Sequence, residues 1–273
     1  MPELPEVETV RSGLEQIIGR QAHIQKVEVR RFDLRFPVPP KLAGSLKGLP
    51  ITAIKRRAKY LLFETPDGVF LNHLGMTGTW REAPVGDERR HDHIYIYLQS
   101  GLRLAFNDPR RFGYVDWLPH NKVVSSRWLG HLGPEPLDAK AFSGTYLKNK
   151  SMGRTGAVKN FIMDQAVVVG VGNIYASEAL YRAGVRPAVA AGKVSKSRYD
   201  SLAKAITHVL KNAIKCGGTT LRDFRQAGGS EGYFQNKLAV YGRQGEPCQQ
   251  CKTPIRKTTQ SGRSSYWCPQ CQS

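Results

Sequence analysis

Met1-Pro2-Glu3-Leu4-Pro5-Glu6-Val7-Glu8-Thr9 opens the chain and reads as the start of a helix. Pro5 suits a first helical turn, where a missing N–H is no loss, and Glu6 and Glu8 complement the positive end of the helix dipole. Val7, Val10, Leu14, Ile17 and Ile18 then recur at helical spacing, which predicts one buried face. The stretch has neither a cationic n-region nor an apolar h-region, so no secretion signal is expected here. Chain ends are usually loose, whereas this one is tied down within two or three residues.

Such a terminus suggests chemistry. With Met1 removed, Pro2 becomes a terminal secondary amine with Glu3 beside it. An α-amino group titrates at roughly 7.7–8.0, so a neutral, nucleophilic fraction exists near neutral pH. Its attack on a sugar carbon gives an iminium, an electron sink for later eliminations, and Glu3 is a candidate general acid. Nearby carboxylates favour the ammonium, while a helix N-terminus and neighbouring lysines favour the free amine. Taken alone, the stretch reads equally well as an acidic helix entry without chemistry.

The 273 residues, 40% of them hydrophobic, are enough for one large domain or two ordinary ones. No apolar run is long enough to span a bilayer, so a soluble, globular, cytoplasmic chain is expected. The formal charge is +19, unevenly spread: residues 1–125 carry 19 basic and 14 acidic side chains, residues 126–273 carry 22 and 8. A field of that size implies a polyanionic partner. Nucleic acid ranks before membrane, because no basic amphipathic or lipidation segment accompanies the charge. Five cysteines, four of them in the last 26 residues, are too few and too clustered for a secreted disulfide scaffold. Cys216 reads as a buried thiol near a helix C-terminus.

From His23 to about Trp117 the pattern is β: Ile24–Val29, Tyr60–Phe63, Val69–Leu71, His93–Leu98 and Leu102–Phe106 are short and punctuated by Gly, Pro and Asp. That spacing predicts a sandwich or barrel. From about Ser125 to Gly218 the period becomes helical, most clearly in Tyr199–Lys215, with a domain boundary expected around Pro119–Ser126. A glycine-rich stretch that includes Arg222–Tyr233 reads as a mobile loop.

Cys248-Gln249-Gln250-Cys251 and Cys268-Pro269-Gln270-Cys271 are two C-x-x-C knuckles 16 residues apart, a strong signature of one tetrahedral, structural Zn2+ site. Between them, Pro254–Thr259 and Ser264–Trp267 read as two strands that place Arg263 at a hairpin tip. Val169-Gly170-Val171-Gly172-Asn173 falls between two helical stretches, Val158–Gln165 and Ser177–Ala183. It reads as a plain turn or as an anion site with Asn173 as a side-chain donor. Lys59 follows the charge run Lys55-Arg56-Arg57 and by itself is ordinary. His91 and His93 point one way along a strand, suiting phosphate contact or a hydrogen-bonded pair rather than metal. Met76, Arg110 and Phe112 sit in turn-like settings, either as rim packing or as a wedge filling the gap left by a flipped-out nucleotide.

Together these residues resemble bacterial formamidopyrimidine-DNA glycosylase along the whole chain. The matching stretches are Pro2–Val10, Arg56–Leu62, His73–Met76, Asp108–Gly113, Leu132–Leu137, Val169–Glu178, Val240–Arg243 and the cysteine knuckles. The resemblance implies an α+β chain: an N-terminal β-sandwich (1–120), a helix-two-turn-helix domain (121–235) and a C-terminal β-hairpin zinc finger (236–273). It implies a monomeric DNA glycosylase and AP lyase, associated with the bacterial nucleoid, that excises oxidised purines such as 8-oxoguanine and formamidopyrimidines from duplex DNA. By motif, Pro2 matches the Schiff-base nucleophile, Glu3 the essential acid, Lys59 the active-site lysine and Arg263 the zinc-finger arginine. His91, Arg110 and Asn173 match DNA-backbone contacts, and Met76, Arg110 and Phe112 the void-filling set. The chain departs from the pattern at Arg154, a basic contact where lysine is usual, with Gly156 inserted before Ala157-Val158-Lys159. Arginine only donates hydrogen bonds, so an inserted Arg110 suits cytosine, with its O2 and N3 acceptors, as the opposite base. The rivals are an endonuclease VIII-like enzyme for oxidised pyrimidines, disfavoured by Leu4 where that branch typically has glycine, and a non-catalytic zinc-ribbon DNA-binding protein.

Overall fold

The buried face expected of the first helix is present. In a computed structural model of the chain, α1 (Leu4–Ile18) buries Leu4, Val7, Val10 and Leu14, while Ile17 and Ile18 are half-buried against the same core. The structure describes residues 2–19, 22–218 and 234–273. They fall into two units: Met1–Gly130 with Gly217–Tyr233, and His131–Cys216 with Phe234–Ser273. The expected loop Arg222–Tyr233 lies outside the described residues. No helix among the described residues is long and apolar enough to cross a membrane.

The first unit is an antiparallel two-sheet sandwich. Its strands are β1 (Ala22–Val29), β2 (Pro50–Ile51), β3 (Ala53–Arg57), β4 (Tyr60–Glu64), β5 (Gly68–His73), β6 (Thr79–Glu82), β7 (Asp92–Leu98), β8 (Arg103–Asn107) and β9 (Tyr114–Pro119), with α2 (Leu42–Leu46) between β1 and β2 and α3 (His120–Val123) after β9. One sheet has the order β2-β1-β7-β8-β6 and the other β3-β4-β5-β9. Side chains alternate across the strands, with a register shift between Ile24 and Lys26 that keeps Ile24 and Val27 on one face. Ile24, Val27, Ile94, Ile96, Leu104 and Phe106 of one sheet and Ile54, Leu61, Phe63, Phe70 and Val115 of the other therefore share the core with Trp80. The Trp80 N–H is satisfied by Asn72 Oδ1 at 2.9 Å, and Asn72 in turn donates to the Tyr114 carbonyl at 3.1 Å, so the buried polar groups are paired as burial demands.

The second unit holds α4 (Gly144–Ser151), α5 (Val158–Met163), α6 (Asn173–Arg182), α7 (Lys196–Lys215) and the hairpin β10 (Arg256–Gln260)–β11 (Arg263–Trp267). α7 starts on Ser195, whose Oγ accepts the Arg198 N–H, a conventional N-cap. Of the apolar stripe expected on it, Leu202, Ile206, Val209 and Leu210 are buried, whereas Ile214, near the helix end, is only half-buried. One expectation needs correcting: Cys216 is the C-cap of α7 and only half-buried, because a helix end leaves its last side chain outside the packed stripe. α6 also begins earlier than expected, at Asn173, since Gly172 adopts the extended conformation of an N-cap.

Candidate active site and nucleic-acid interface

Pro2 and Glu3 are buried. Glu3 is the extended N-cap of α1 and forms a capping box with Glu6. Its side chain accepts the Glu6 N–H, and Glu6 Oε2 accepts the Glu3 N–H at 2.9 Å, two orphan donors of the first turn satisfied reciprocally. Gly218 passes directly over this turn. At φ 80°, with a Cβ position 3.1 Å from Glu6 Oε1, it takes a backbone conformation and a close approach that favour glycine.

Lys59 sits on a strained turn that Arg56 ties to α1. β3 and β4 pair Arg57 with Tyr60, leaving Ala58 and Lys59 as a two-residue loop in which Ala58 takes φ 54°, a conformation costly for any residue with a Cβ. Arg56 stabilises it, donating to the Ala58 carbonyl at 3.1 Å and to Glu8 Oε2 of α1 at 2.8 Å. Lys59 is thereby held at 8% exposure.

His73 is a member of this site that reading by residue type passed over. Its ring stacks on Tyr114 at 4.9 Å and 8° and meets Tyr60 edge-on at 5.1 Å. Nδ1 accepts the Gly75 N–H at 3.0 Å, so the neutral ring carries its proton on Nε2. Burial, with the charges of Lys59 and Arg35 behind it, pushes its pKa down to about 3. An unfolded chain protonates this histidine near 6.5 and the folded one does not, so stability falls as pH drops from about 6.5 toward 3. His73→Gln is expected to flatten that decline by a few kcal/mol, measured as urea midpoints at pH 7 and pH 5. An unchanged pH slope would refute the assignment.

Met76 and the Arg110–Phe112 segment come together on two interlocked loops. A Cβ at Gly75 (φ 67°) would lie 2.3 Å from the Gly113 nitrogen and from the Phe112 carbonyl carbon, so only glycine lets the loops touch. Buried Asp108 ties them, accepting from Thr77 Oγ1 and, at 2.7 Å, from the Gly113 N–H, while Arg110 N–H donates to Thr77 Oγ1. The Arg110 guanidinium lies 4.8 Å over the exposed Phe112 ring. His93 is buried with Nε2 at 2.8 Å from the Asp108 carbonyl, and half-buried His91 borders a cleft of ≈ 610 Å³. Of the open alternatives, His93 is the hydrogen-bonded structural histidine. Among the described residues, no metal-holding group includes either ring.

In the second unit, Lys159 is the residue that motif spacing did not single out. Buried to 1% exposure, its ammonium donates to Asn173 Oδ1, Ser264 O (2.9 Å) and Ser265 Oγ (2.8 Å). An ammonium has no acceptor, so Asn173 must turn its oxygen toward Lys159 and its NH2 outward, where it meets Tyr241 Oη at 3.4 Å. Glu178 of α6 accepts three backbone N–H groups, of Ala239, Val240 and Tyr241, at 2.8–3.0 Å; its own burial raises its pKa despite them. Arg263 is exposed, opposite Gln260 across the turn Ser261-Gly262. Arg154 is exposed in the segment after α4.

Cys248, Cys251, Cys268 and Cys271 place their Sγ atoms within 4.8 Å of one another, with Tyr181 Oη 3.2 Å from Cys248 Sγ. Four thiols converging from two knuckles fit a tetrahedral zinc site with no open position, oriented by an outer hydrogen bond.

Three stretches match known family profiles: residues 1–115 the formamidopyrimidine-DNA glycosylase N-terminal domain, 132–225 the formamidopyrimidine-DNA glycosylase H2TH domain, and 245–273 the zinc finger found in FPG and IleRS. The chain is 52% identical over 276 residues to formamidopyrimidine-DNA glycosylase of Bdellovibrio bacteriovorus and 53% over 275 residues to that of Stenotrophomonas maltophilia, covering 100% of each partner and of itself. It is similar to Lactococcus lactis structures at 34–35% identity. One is a mutant with Fapy-dG-containing DNA (TM-score 0.92, 100% of both chains), another a complex with abasic-site DNA (0.91, 99% of both), and a third the wild-type protein with DNA containing an oxidised pyrimidine (0.90, 100% of both). With a sandwich led by a capped Pro2-Glu3 terminus, a helical unit and a four-cysteine hairpin matched over their full length, the chain belongs to the formamidopyrimidine-DNA glycosylase family of DNA-repair enzymes.

Proposed function

We propose that the enzyme removes oxidised purines, 8-oxoguanine and formamidopyrimidines, from duplex DNA by way of a Schiff base on Pro2 and then cleaves the abasic strand by β,δ-elimination. The observation that carries this reading is the buried Pro2-Glu3 pair at the capped start of α1. The Pro2 nitrogen, freed of Met1, attacks C1′ of the damaged nucleotide as the glycosidic bond breaks, and the departing base takes a proton delivered from the Glu3 side. The adduct loses its N–H proton and opens the sugar ring, the C1′–O4′ bond breaking as O4′ takes a proton, which leaves an iminium. This accepts the electron pair of the C2′–H bond as that proton is removed, the enamine so formed expels the 3′-phosphate, and a second elimination frees the 5′-phosphate. Lys59, on its strained turn, and the Nε2–H of His73 are the donors for phosphate oxygens beside the reacting sugar.

Arg110, Met76 and Phe112 fill the space that the flipped nucleotide vacates, with Arg110 read against cytosine. Asn173, its NH2 directed by Lys159, together with His91, Arg154 and Arg263 hold the backbone, Arg263 also serving the later elimination. In these terms the chain divides functionally at 1–120, 121–235 and 236–273, works as a monomer on duplex DNA, and belongs to the bacterial cytoplasm at the nucleoid. Zinc, held by the four cysteines, would supply folding free energy to the hairpin and no chemistry.

Competition between 8-oxoguanine:cytosine and thymine-glycol duplexes tests the substrate class, with the purine expected to win. Preferential excision of thymine glycol would instead support the endonuclease VIII-like alternative.

A further inference from the structure

The sandwich unit carries a cationic cleft of which the reading above uses only His91, at its edge. Arg30, Arg31, Arg89, Arg90 and Arg111 line it beside His91. The cleft is built from beneath. Arg81, 7% exposed, donates at 2.6 Å to the Asp87 carboxylate, the Asp87 carbonyl and Asp92 Oδ2. Arg103, equally buried, donates to the Ala83 and Pro84 carbonyls and pairs with Glu88 at 2.6 Å. The acids of the β6–β7 connection are engaged by arginines, Asp87 by Arg81 and by the lining Arg89 at 3.3 Å and Glu88 by Arg103, and although Glu88 and Asp92 also line the cleft, the five arginines outnumber them. Arg30 is propped 5.7 Å over the Tyr95 ring.

Arg111 adopts φ 56°, an uncommon conformation for a residue with a side chain. Consecutive arginines therefore serve different places: Arg110 lies over Phe112, whereas Arg111 reaches Asp33 at 3.3 Å on the cleft side. Asp33 also holds Arg31 at 2.8 Å. Such exposed pairs are weak, and a phosphodiester offers the same guanidinium groups a bidentate acceptor.

We propose that this cleft is a second backbone-phosphate site, which grips the duplex at phosphates beyond the reacting nucleotide and lengthens the DNA footprint of the sandwich unit. The proposal rests on the duplex-binding reading above. It predicts that the cleft contributes to the salt dependence of binding, each neutralised phosphate adding about −0.9 to the slope of log K against log salt.

The test uses the full chain and a 25-bp duplex, a length chosen to extend well past the lesion, carrying a non-cleavable abasic analogue. Arg30→Gln/Arg90→Gln is expected to make the slope shallower by about 1 to 2. Arg90→Gln alone should give about half that change and guards against a misfolded double variant, and Arg90→Lys should keep the slope while losing affinity. Lys140→Gln, at an exposed lysine of the other unit, is the charge-matched control. An unchanged slope in the arginine variants, or a change equalled by Lys140→Gln, overturns the site. So does saturation of the Arg30 and Arg90 side-chain resonances by inorganic phosphate combined with an unaltered DNA slope, which would make the cleft a small-anion site. Failure of the wild type to form a borohydride-trapped adduct would instead strike the glycosylase reading and leave the slope measurement standing.

Discussion

A chain carrying an uncleaved N-terminal extension ahead of Pro2 is expected to lose base excision and the borohydride-trapped adduct together. The loss should be on the order of 10⁴-fold or more, the scale seen when a covalent nucleophile is removed. The reason is bond order rather than fold. An amide nitrogen has no lone pair to offer a sugar carbon, whereas the freed secondary amine of Pro2 does. α1 does not depend on the terminus being free, because its first turn is closed by the Glu3–Glu6 capping box. Such a chain should therefore match the processed one in circular dichroism and still bind damaged duplex. Full excision by a protein shown by mass to retain the extension would remove Pro2 from the mechanism and direct attention to Lys59.

Glu3→Gln separates the acid from the cap. Glutamine keeps an oxygen for the Glu6 N–H, so the helix start survives, but it delivers no proton. Excision of 8-oxoguanine is expected to fall by about 10²–10⁴, while cleavage at a preformed abasic site, where no base awaits a proton, persists. Equal loss on both substrates would show that Glu3 acts in the elimination or only holds the fold.

The residues legible in the sequence were those whose role is local. Pro2, Glu3 and Glu6 announce a helix start by type and spacing, and the four cysteines announce a metal by spacing alone. β3 was hidden for a physical reason: it is an edge strand of its sheet, and the Lys55-Arg56-Arg57 run that obscures its alternation is a common way of protecting an edge. Lys59 looked ordinary because its burial depends on the φ of Ala58, which nothing in the residue type of alanine foretells. Nothing in the local sequence marks Lys159 or Glu178, since Ser264–Ser265 and Ala239–Tyr241, to which they bond, are more than 60 residues away. His73 stood inside a matching stretch, yet only the stacked Tyr114 and the Gly75 N–H define its tautomer.

Removing the zinc is expected to lower affinity for damaged duplex at least 100-fold and to unfold the terminal hairpin while the sandwich stays folded. The small core behind the hairpin consists of Tyr181, Val240, Cys248, Ile255 and Cys268, and two of those five are ligands. β10 is exposed along nearly its whole length, so little apolar burial remains to offset the chain entropy once the metal is gone. Zinc binding at such sites supplies about 10–16 kcal/mol, which here is folding free energy. The consequence reaches past Arg263. Ser264 and Ser265 both accept from the buried Lys159 ammonium, so unfolding β11 also releases the group that orients Asn173. A chelated protein, and equally Cys248→Ser, should thus lose Arg263 and Asn173 as phosphate donors at once, and its salt slope should be shallower by about 2. Mutating Arg263 alone should remove only about half of that. Undiminished affinity in a sample shown by metal analysis to be zinc-free would mean that the hairpin stands without its ion and that the Lys159 bridge is not what holds Asn173 in place.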